Sequence, residues 1–421
     1  IMLAPANHGS ALAQLGKSRL SRISAWFQGV EPGQQVLDWL ELGSTGQAAV
    51  NERFIDYDLS ENRFYPFVLT GQKIDRKLYD HLNSYTGEPG TDGVIRVCAA
   101  NMNYRVLTLT QSERVLETRR GRAVTTALEF DERNLRISPR VPIGVIPEAS
   151  HTGDRNGIMR CVEMENSFVK PVVAEILACL TVESTADYEQ RAAELAIRTR
   201  ETQAHDDETK DRYCMIVFNV YDDQGYPISD FDMLLLAGKQ YSEDILPPGF
   251  FADRQRNQNN PSRLVYYLNY DNMKHARDGK MGIRIMARPD EGFTSYLKAE
   301  FRSEGMPLDW ILNPNETIYV NIQMRRRVDE PSGELLYAWT RPPTSTHRPI
   351  TQTVMNKQYK VETLIYYSKV TLDSEHIAKN SQKDIQEQMD RYARDGWRLV
   401  STDATGFGFA VYIYLYFEKD A

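Results

Sequence analysis

Residues 1–13 read IMLAPANHGSALA, and this short stretch decides how the rest of the chain is interpreted. An apolar run from Ile1 to Leu3 stops at Pro5, a polar turn that contains His8 follows, and the sequence then becomes helix-like. A short apolar run that is bounded by turn residues is typical of a buried strand. The stretch therefore predicts a strand that runs into a loop and then a helix, which is the repeating unit of an α/β sheet.

The same alternation of short apolar strands and helical stretches continues through the first part of the chain. Strands are predicted within residues 63–72 (RFYPFVLTGQ) and 94–109 (VIRVCAANMNYRVLTL), and a helix is predicted over residues 173–180 (VAEILACL). We therefore predict that residues 1–185 form part of an α/β domain, and that residues 186–211 are a charged helical linker.

Two further regions have different patterns. Residues 212–345 alternate between apolar and polar positions in short runs separated by turn residues, which predicts a β-rich, sandwich-like domain. A Pro- and Thr-rich linker over residues 340–351 precedes a small β-α-β-β module in residues 352–421. In this module Gly396 follows the helix, where a positive φ is often needed. The module resembles a small uncharacterised bacterial domain with Gly-Trp after its helix, and no chemistry is attached to that resemblance.

Composition narrows the classes of protein to which the chain can belong. Its 421 residues include 50 basic and 58 acidic ones, and the net charge of -8 argues against a general nucleic-acid binder. The four cysteines have no Cys-x-x-Cys spacing and are expected to be buried free thiols. Because the sequence has no metal-ligand cluster, Gly-x-Gly-x-x-Gly motif or P-loop, we expect no obligatory cofactor. No apolar run is long enough for a transmembrane helix, and the apolar start is too short for a signal peptide.

Two loops carry residues that suit acid–base chemistry. In residues 87–101 (GEPGTDGVIRVCAAN) glycines present Asp92 before an apolar stretch, and in residues 146–158 (IPEASHTGDRNGI) His151 follows an apolar run. Asp92 precedes His151 by 59 residues, and the triad of α/β hydrolases has the order nucleophile, acid, histidine. From spacing alone, a turn aspartate and a surface histidine are equally good interpretations of this pair.

Several long phrases of the sequence are more specific than any single motif. In the first part of the chain they are IMLAPANHGSALAQLGKSRLSRI, EPGQQVLDWLELGS, FVLTGQKIDRKLYDHLNSYTGE, TDGVIRV, ANMNYRVL and SHTGDRNGI. In the β-rich part they are QYSEDILPPGFFADRQRNQNN, LNYDNM and NPNETIYV. All of them resemble the PlaB-type bacterial phospholipases A and lysophospholipases, which are lipolytic α/β hydrolases. The likeness covers residues 1–330.

The resemblance implies a carboxylic ester hydrolase that uses a Ser-Asp-His triad on phospholipid or lysophospholipid substrates. Carried over by motif, Asp92 is the catalytic acid and His151 the catalytic base. The resemblance also implies peripheral association with a bacterial membrane, at the outer membrane or the cell surface. The resemblance does not determine the oligomeric state, and a homo-oligomer is one of the alternatives.

The nucleophilic serine of this family lies on a strand-to-helix elbow upstream of the LAPANHGS strand. This sequence has no Gly-x-Ser-x-Gly motif, and neither Ser10 nor Ser150 stands in an elbow. The tetrapeptide at residues 43–46, Gly-Ser-Thr-Gly, follows a helical run and is predicted to be a helix C-terminal turn. We therefore expect a partial α/β-hydrolase sheet that lacks its N-terminal strands and nucleophile elbow, and that is inactive by itself.

A second hypothesis is a non-catalytic surface or scaffold protein whose β-rich C-terminal domains bind a partner or a membrane. Candidate membrane contacts are residues 233–238 (MLLLAG) and 247–254 (PPGFFADR), where Phe250 and Phe251 would enter the lipid headgroups. The alternative is that these side chains are a plug that packs one domain on the other. His8 is expected to be a turn residue without a catalytic role, and its segment is expected to border the lipid pocket.

Overall fold

The strand predicted at the start of the chain is present in the computed structural model, as the first of three parallel strands. These strands are β1 (Met2–Leu3), β2 (Val68–Gly71) and β6 (Ile143–Ile146), and they lie in the order β1-β2-β6. Leu69 and Val145 are fully buried, as expected for parallel strands that are covered on both faces. The predicted α/β character of this region is therefore confirmed.

The chain divides into two units, residues 1–336 and residues 337–421. Within them the structure describes residues 1–18, 33–59, 61, 63–74, 88–116, 124–152, 156–162, 170–205, 211–274, 280–288, 294–304, 306, 311–328, 357–367, 374–407 and 410–420. The predicted linker at residues 340–351 lies outside the described residues.

The helices described before residue 211 are α1 (Ala11–Ser18), α2 (Gln34–Leu40), α3 (Thr45–Phe54), α4 (Val97–Ala100), α5 (Pro171–Leu180) and α6 (Thr185–His205). Helix α6 occupies most of the predicted linker and packs against β6. The Thr199 hydroxyl accepts a hydrogen bond from the Val145 amide (3.0 Å) and donates one to the Ile143 carbonyl (3.1 Å). The charged pattern of this helix marks its solvent face, while Leu195 is fully buried.

Ten strands form one large mixed sheet. Nine follow the order β8-β11-β13-β4-β3-β14-β7-β10-β9, and β5 pairs with β3. Their bounds are β3 (Tyr104–Leu116), β4 (Thr125–Phe130), β5 (Arg136–Ile137), β7 (Tyr213–Asp222), β8 (Phe231–Ala237), β9 (Phe251–Arg256), β10 (Arg263–Asn269), β11 (Met281–Ala287), β13 (Lys298–Arg302) and β14 (Thr317–Met324). Strand β14 is parallel to both β3 and β7, and β13 is parallel to β4. The sheet therefore combines strands from both sides of the predicted linker.

The structure also describes smaller elements in this unit. They are helix α7 (Tyr270–Lys274), the paired strands β12 (Thr294–Ser295) and β15 (Arg327–Val328), and single 3-10 turns at Glu132–Asn134, Ile158–Arg160 and Glu243–Ile245. All four cysteines of the chain are free and buried, as predicted from their spacing and neighbours.

The proposed membrane contacts in the β-rich region are mostly core residues. Phe250 is 1% exposed, and Leu235 and Leu236 of β8 are buried as well. Burial of Phe250 contradicts its predicted entry into a lipid surface, because the side chain packs in the hydrophobic core of the large sheet. Phe251 is 41% exposed. Its ring and the ring of Tyr266 make an edge-to-face contact with 4.9 Å between their centroids.

The described residues of the second unit form a three-stranded antiparallel sheet and one helix. The elements are β16 (Lys357–Tyr367), α8 (Ser374–Arg394), β17 (Arg398–Phe407) and β18 (Ala410–Asp420), with the strand order β16-β18-β17. This is the predicted β-α-β-β order. Tyr392 of the helix stacks on Phe417 of β18 at 4.3 Å, and Gly396 follows the helix with the predicted positive φ of +80°.

Candidate active site

The loop that carries His151 begins where strand β6 ends. The turn at residues 147–150 lies directly against Gly71, the last residue of β2, and the Lys73 amide donates a hydrogen bond to the Ala149 carbonyl (3.0 Å). A Cβ atom at Gly71 would lie 2.0 Å from that carbonyl oxygen, so only glycine permits this approach. The end of β2 therefore fixes the turn that leads to His151.

The backbone of His151 is held on both sides. Its amide donates a hydrogen bond to the Asp92 carbonyl (2.8 Å), and its carbonyl accepts one from the Met159 amide (3.0 Å). The Ile158 amide in turn donates to the Ser150 carbonyl (2.8 Å). The main chain thus places His151 beside Asp92 before any side-chain contact is considered.

The carboxylate of Asp92 is fully buried and held by its own loop. Its Oδ1 accepts hydrogen bonds from the Val94 amide (3.0 Å) and the Ile95 amide (2.7 Å), and its own amide donates to the Ile95 carbonyl (3.1 Å). Two of these bonds end on Oδ1, and the third closes the backbone of the loop. Since Oδ1 is occupied in this way, Oδ2 is directed to a different partner.

That partner is the imidazole of His151. Its Nδ1 lies 2.9 Å from Oδ2 of Asp92, and the histidine side chain is 13% exposed. A carboxylate acceptor requires a proton on Nδ1, so Nε2 is the basic nitrogen of the neutral ring. The two residues selected from the sequence therefore form an oriented acid–histidine pair, of the kind that can accept a proton from a nucleophile.

His8 belongs to a separate buried network. Its Nε2 lies 2.8 Å from the Asn101 carbonyl oxygen, and its Nδ1 lies 2.8 Å from the Tyr319 hydroxyl and 3.0 Å from the Asn51 side-chain nitrogen. Burial lowers the pKa of His8 to about 4, although the bond to the Asn101 carbonyl acts to raise it. His8 is therefore neutral near pH 7 and connects the N-terminal turn to the large sheet, with both ring nitrogens engaged.

Two of the three serines considered as nucleophiles have structural roles. Ser44 is the N-cap of α3, where its hydroxyl accepts a hydrogen bond from the Gln47 amide, so residues 43–46 lead into a helix and do not form the predicted helix C-terminal turn. The buried Ser10 hydroxyl donates to the Val94 carbonyl (2.9 Å). In the part of the chain that the structure describes, these serines are thus capping or bracing residues.

Sequence reasoning missed a buried charged cluster next to the Asp92 loop. Arg96 is 2% exposed and contacts Glu88 and Asp253, and its guanidinium lies over the ring of Tyr267. A charged residue inside the apolar run VIRVC was a signal for a buried ion pair, but its partners lie as far as 157 positions away.

Three further properties of the described residues concern metal binding, membrane spanning and surface clefts. No group of three or more His, Cys, Asp or Glu side chains among them is arranged to hold a metal ion. None of their helices has the length and apolar character required to cross a membrane. A cleft of about 680 Å³ is lined by polar residues that include Arg105, Arg140 and Glu316, and Asp92 and His151 are not in its lining.

Comparison with known proteins finds similarity to solved structures. The phospholipase PlaB from Legionella pneumophila in complex with thio-NAD is 41% identical, with a TM-score of 0.69, over 83% of this chain and 73% of that chain. A second structure of phospholipase PlaB from Legionella pneumophila is 42% identical, with the same coverage and TM-score. No protein-family model and no curated protein sequence matches this chain.

Proposed function

This chain belongs to the PlaB-type phospholipase family, and we propose that its Asp92 and His151 are the acid and base of a phospholipase A or lysophospholipase reaction. The observation that carries the proposal is the 2.9 Å contact between Nδ1 of His151 and Oδ2 of the buried Asp92. The His151 loop directly follows strand β6 and its turn packs against the end of the neighbouring parallel strand β2, and the order of acid before histidine is that of α/β hydrolases.

In the proposed reaction, Nε2 of His151 accepts the proton of a serine hydroxyl as its oxygen attacks the ester carbonyl carbon. Asp92 stabilises the imidazolium that forms and keeps the ring in the required tautomer. The imidazolium then donates its proton to the leaving alcohol oxygen, and water hydrolyses the acyl-enzyme by the same steps. Because no serine of these 421 residues stands in an elbow motif, we propose that they supply the acid and the base but not the nucleophile.

The proposed substrates are phospholipids and lysophospholipids, which are reached by peripheral contact with a membrane. Two exposed apolar side chains in the segment that follows the His151 loop support this approach: Met159 (54% exposed) and Val162 (71% exposed). Met159 is joined to His151 by a main-chain hydrogen bond, so an apolar surface lies close to the base. Exposed apolar side chains in this segment favour contact with acyl chains over contact with water.

The proposal is tested with two proteins. The first is the purified 421-residue chain, which is expected not to hydrolyse lysophosphatidylcholine above the level of its His151→Ala variant. The second is a chimera in which this chain replaces the aligned segment of Legionella PlaB, so that the relative supplies the remaining residues. The chimera is expected to hydrolyse the lipid and to lose activity on His151→Ala.

The matched control in the chimera is Asp230→Asn, because the Asp230 side chain is 58% exposed and pairs with Arg288 far from the catalytic pair along the chain. Full activity of a folded His151→Ala chimera would contradict the assignment of the base. Hydrolysis by the 421-residue chain alone that depends on His151 would instead contradict the claim that these residues lack the nucleophile.

A further inference from the structure

The buried cluster around Arg96 joins the two ends of the loop that carries Asp92. Arg96 donates from Nε and Nη2 to the two carboxylate oxygens of Glu88, both at 2.8 Å, so the pair is bidentate. The Val97 amide donates to the Gly90 carbonyl (3.0 Å) in the same region. Residues 88–97 therefore form a closed loop, and Asp92 lies near its middle.

The same arginine ties this closed loop to strand β9 of the large sheet. Its Nη2 also donates to Oδ2 of Asp253 at 2.5 Å, and the two carboxylate side chains are 14% (Glu88) and 21% (Asp253) exposed. Burial lowers the pKa of the Arg96 guanidinium, but Glu88 and Asp253 raise it by more, and the net direction is upward. Arg96 therefore stays charged and keeps both contacts.

Strand β10 provides the second attachment. The guanidinium of Arg96 lies 4.1 Å from the ring centroid of Tyr267, and the Tyr267 hydroxyl donates to the Pro89 carbonyl at 2.8 Å. A Cβ atom at Gly90 would lie 2.4 Å from that hydroxyl, so the loop backbone lies in direct contact with the tyrosine. Both strands that hold the loop thus belong to the β-rich part of the chain.

A buried ion pair of this kind is weak evidence for stability, because desolvation offsets most of the attraction. Its value is geometric, since a bidentate arginine fixes both the position and the orientation of its carboxylate partners. Here the bidentate contact fixes the loop that carries Asp92. The amides of this loop hold Oδ1 of Asp92 and thereby direct Oδ2 to His151.

We propose that Arg96 and Tyr267 are positioning residues, which anchor the Asp92 loop to strands β9 and β10 and so hold the acid in line with His151. The catalytic meaning of this positioning rests on the proposed function, whereas the mechanical coupling of the loop to the sheet does not. The β-rich region then has a role in the geometry of the acid–histidine pair, in addition to any contact with a membrane or partner.

The test compares two adjacent tyrosines of β10 in the 421-residue chain. Tyr267→Phe removes the hydrogen bond to Pro89 and keeps the ring beneath Arg96. The matched control is Tyr266→Phe, because Tyr266 is equally buried and donates to a different main-chain carbonyl, that of Met233 (3.0 Å). The readout is hydrogen–deuterium exchange of the Val94 and Ile95 amides, which are protected by Asp92.

We expect Tyr267→Phe to speed exchange of these two amides by about five- to tenfold, because local opening of the loop no longer breaks that hydrogen bond. Tyr266→Phe should leave their exchange unchanged, even where it lowers the melting temperature by a similar amount. Arg96→Lys keeps the charge but loses the bidentate contact. It should speed exchange of the two amides at least as much as Tyr267→Phe does. In this variant the ¹⁵N chemical shift of His151 Nδ1 should also move toward its value in the Asp92→Asn variant.

Unchanged exchange in both Tyr267→Phe and Arg96→Lys would overturn the proposal, and so would an equal acceleration in Tyr266→Phe. If Arg96→Lys does not fold, Asp253→Asn is used instead, because it preserves the shape of the partner and removes its charge. Failure of the proposed function would appear as lipid hydrolysis by the chimera that does not require His151. The exchange experiment measures no lipid hydrolysis, so the two failures are distinguishable.

Discussion

The carboxylate of Asp92 lies 2.9 Å from Nδ1 of His151, although the two residues are 59 positions apart in the chain. One oxygen of this carboxylate is held by backbone amides, and the other faces the imidazole. In addition, the main-chain amide of His151 donates to the carbonyl of Asp92. The side-chain contact is therefore specified twice, by the loop of the acid and by the turn of the histidine.

The buried His8 predicts a particular dependence of stability on pH. Its pKa is about 4 in the folded chain and about 6.5 when unfolded, so between these values the unfolded state binds more protons. Stability from this group is complete above about pH 6.5 and is lost as pH falls toward 4, by about 3 kcal/mol in total. Burial raises the pKa of Tyr319 and of Tyr104, so neither tyrosine titrates in this window.

The measurement is the free energy of unfolding of the native chain and of His8→Gln, by denaturant titration at several pH values from 7.5 to 4.5. Because other groups titrate equally in both proteins, their difference isolates His8. We expect the advantage of the native chain to shrink as pH falls. A difference that stays constant over this range would contradict the burial of a neutral histidine at this position.

The close approach of Gly71 to the His151 turn predicts a specific effect of Gly71→Ala. The new Cβ would lie 2.0 Å from the Ala149 carbonyl oxygen, so the turn after β6 must move. We expect a loss of about 1–3 kcal/mol in the free energy of unfolding, as for other overpacked sites. Gly33→Ala is the control, because no atom lies within 4 Å of a Cβ there. Equal stability of the two variants would contradict the described geometry.

The adjacent Phe250 and Phe251 are predicted to respond differently to truncation. Phe250→Ala leaves a cavity in the core and should cost about 3–5 kcal/mol of stability. Phe251→Ala should cost much less, because 41% of its surface is already exposed. Chemical denaturation of both variants checks this order. A larger loss for Phe251→Ala would show that the two side chains have been assigned to the wrong environments.

Asp92 and His151 could be selected from the sequence as candidates because their signals are local. Glycines on both sides of Asp92 and a polar loop after an apolar run around His151 are visible in short windows of sequence. The long phrases shared with one family added the expected roles. The contact itself was not visible, because contact between residues 59 positions apart depends on how the Asp92 loop and the turn after β6 pack together.

Other parts of the fold were predicted less well, for physical reasons. Residues 97–100 form a helix inside a run predicted to be a strand, since a short buried apolar segment has no periodicity that separates the two. The pairing of β3 with β14 joins residues that are 213 positions apart in their register, such as Thr317 with Tyr104, and no local pattern encodes such a choice. For the same reason, no local pattern in the sequence indicated the contact between Arg96 and Asp253.

The central claim, that Asp92 and His151 act as one catalytic unit, is tested most directly by a double-mutant comparison in the chimera with Legionella PlaB. The measurement is kcat for lysophosphatidylcholine hydrolysis by Asp92→Asn, His151→Ala and the double variant. We predict that each single change lowers kcat by about 10⁴-fold and that the double variant is no slower than His151→Ala. Single variants that keep normal turnover, or a double variant whose loss is the product of the two single losses, would contradict the account.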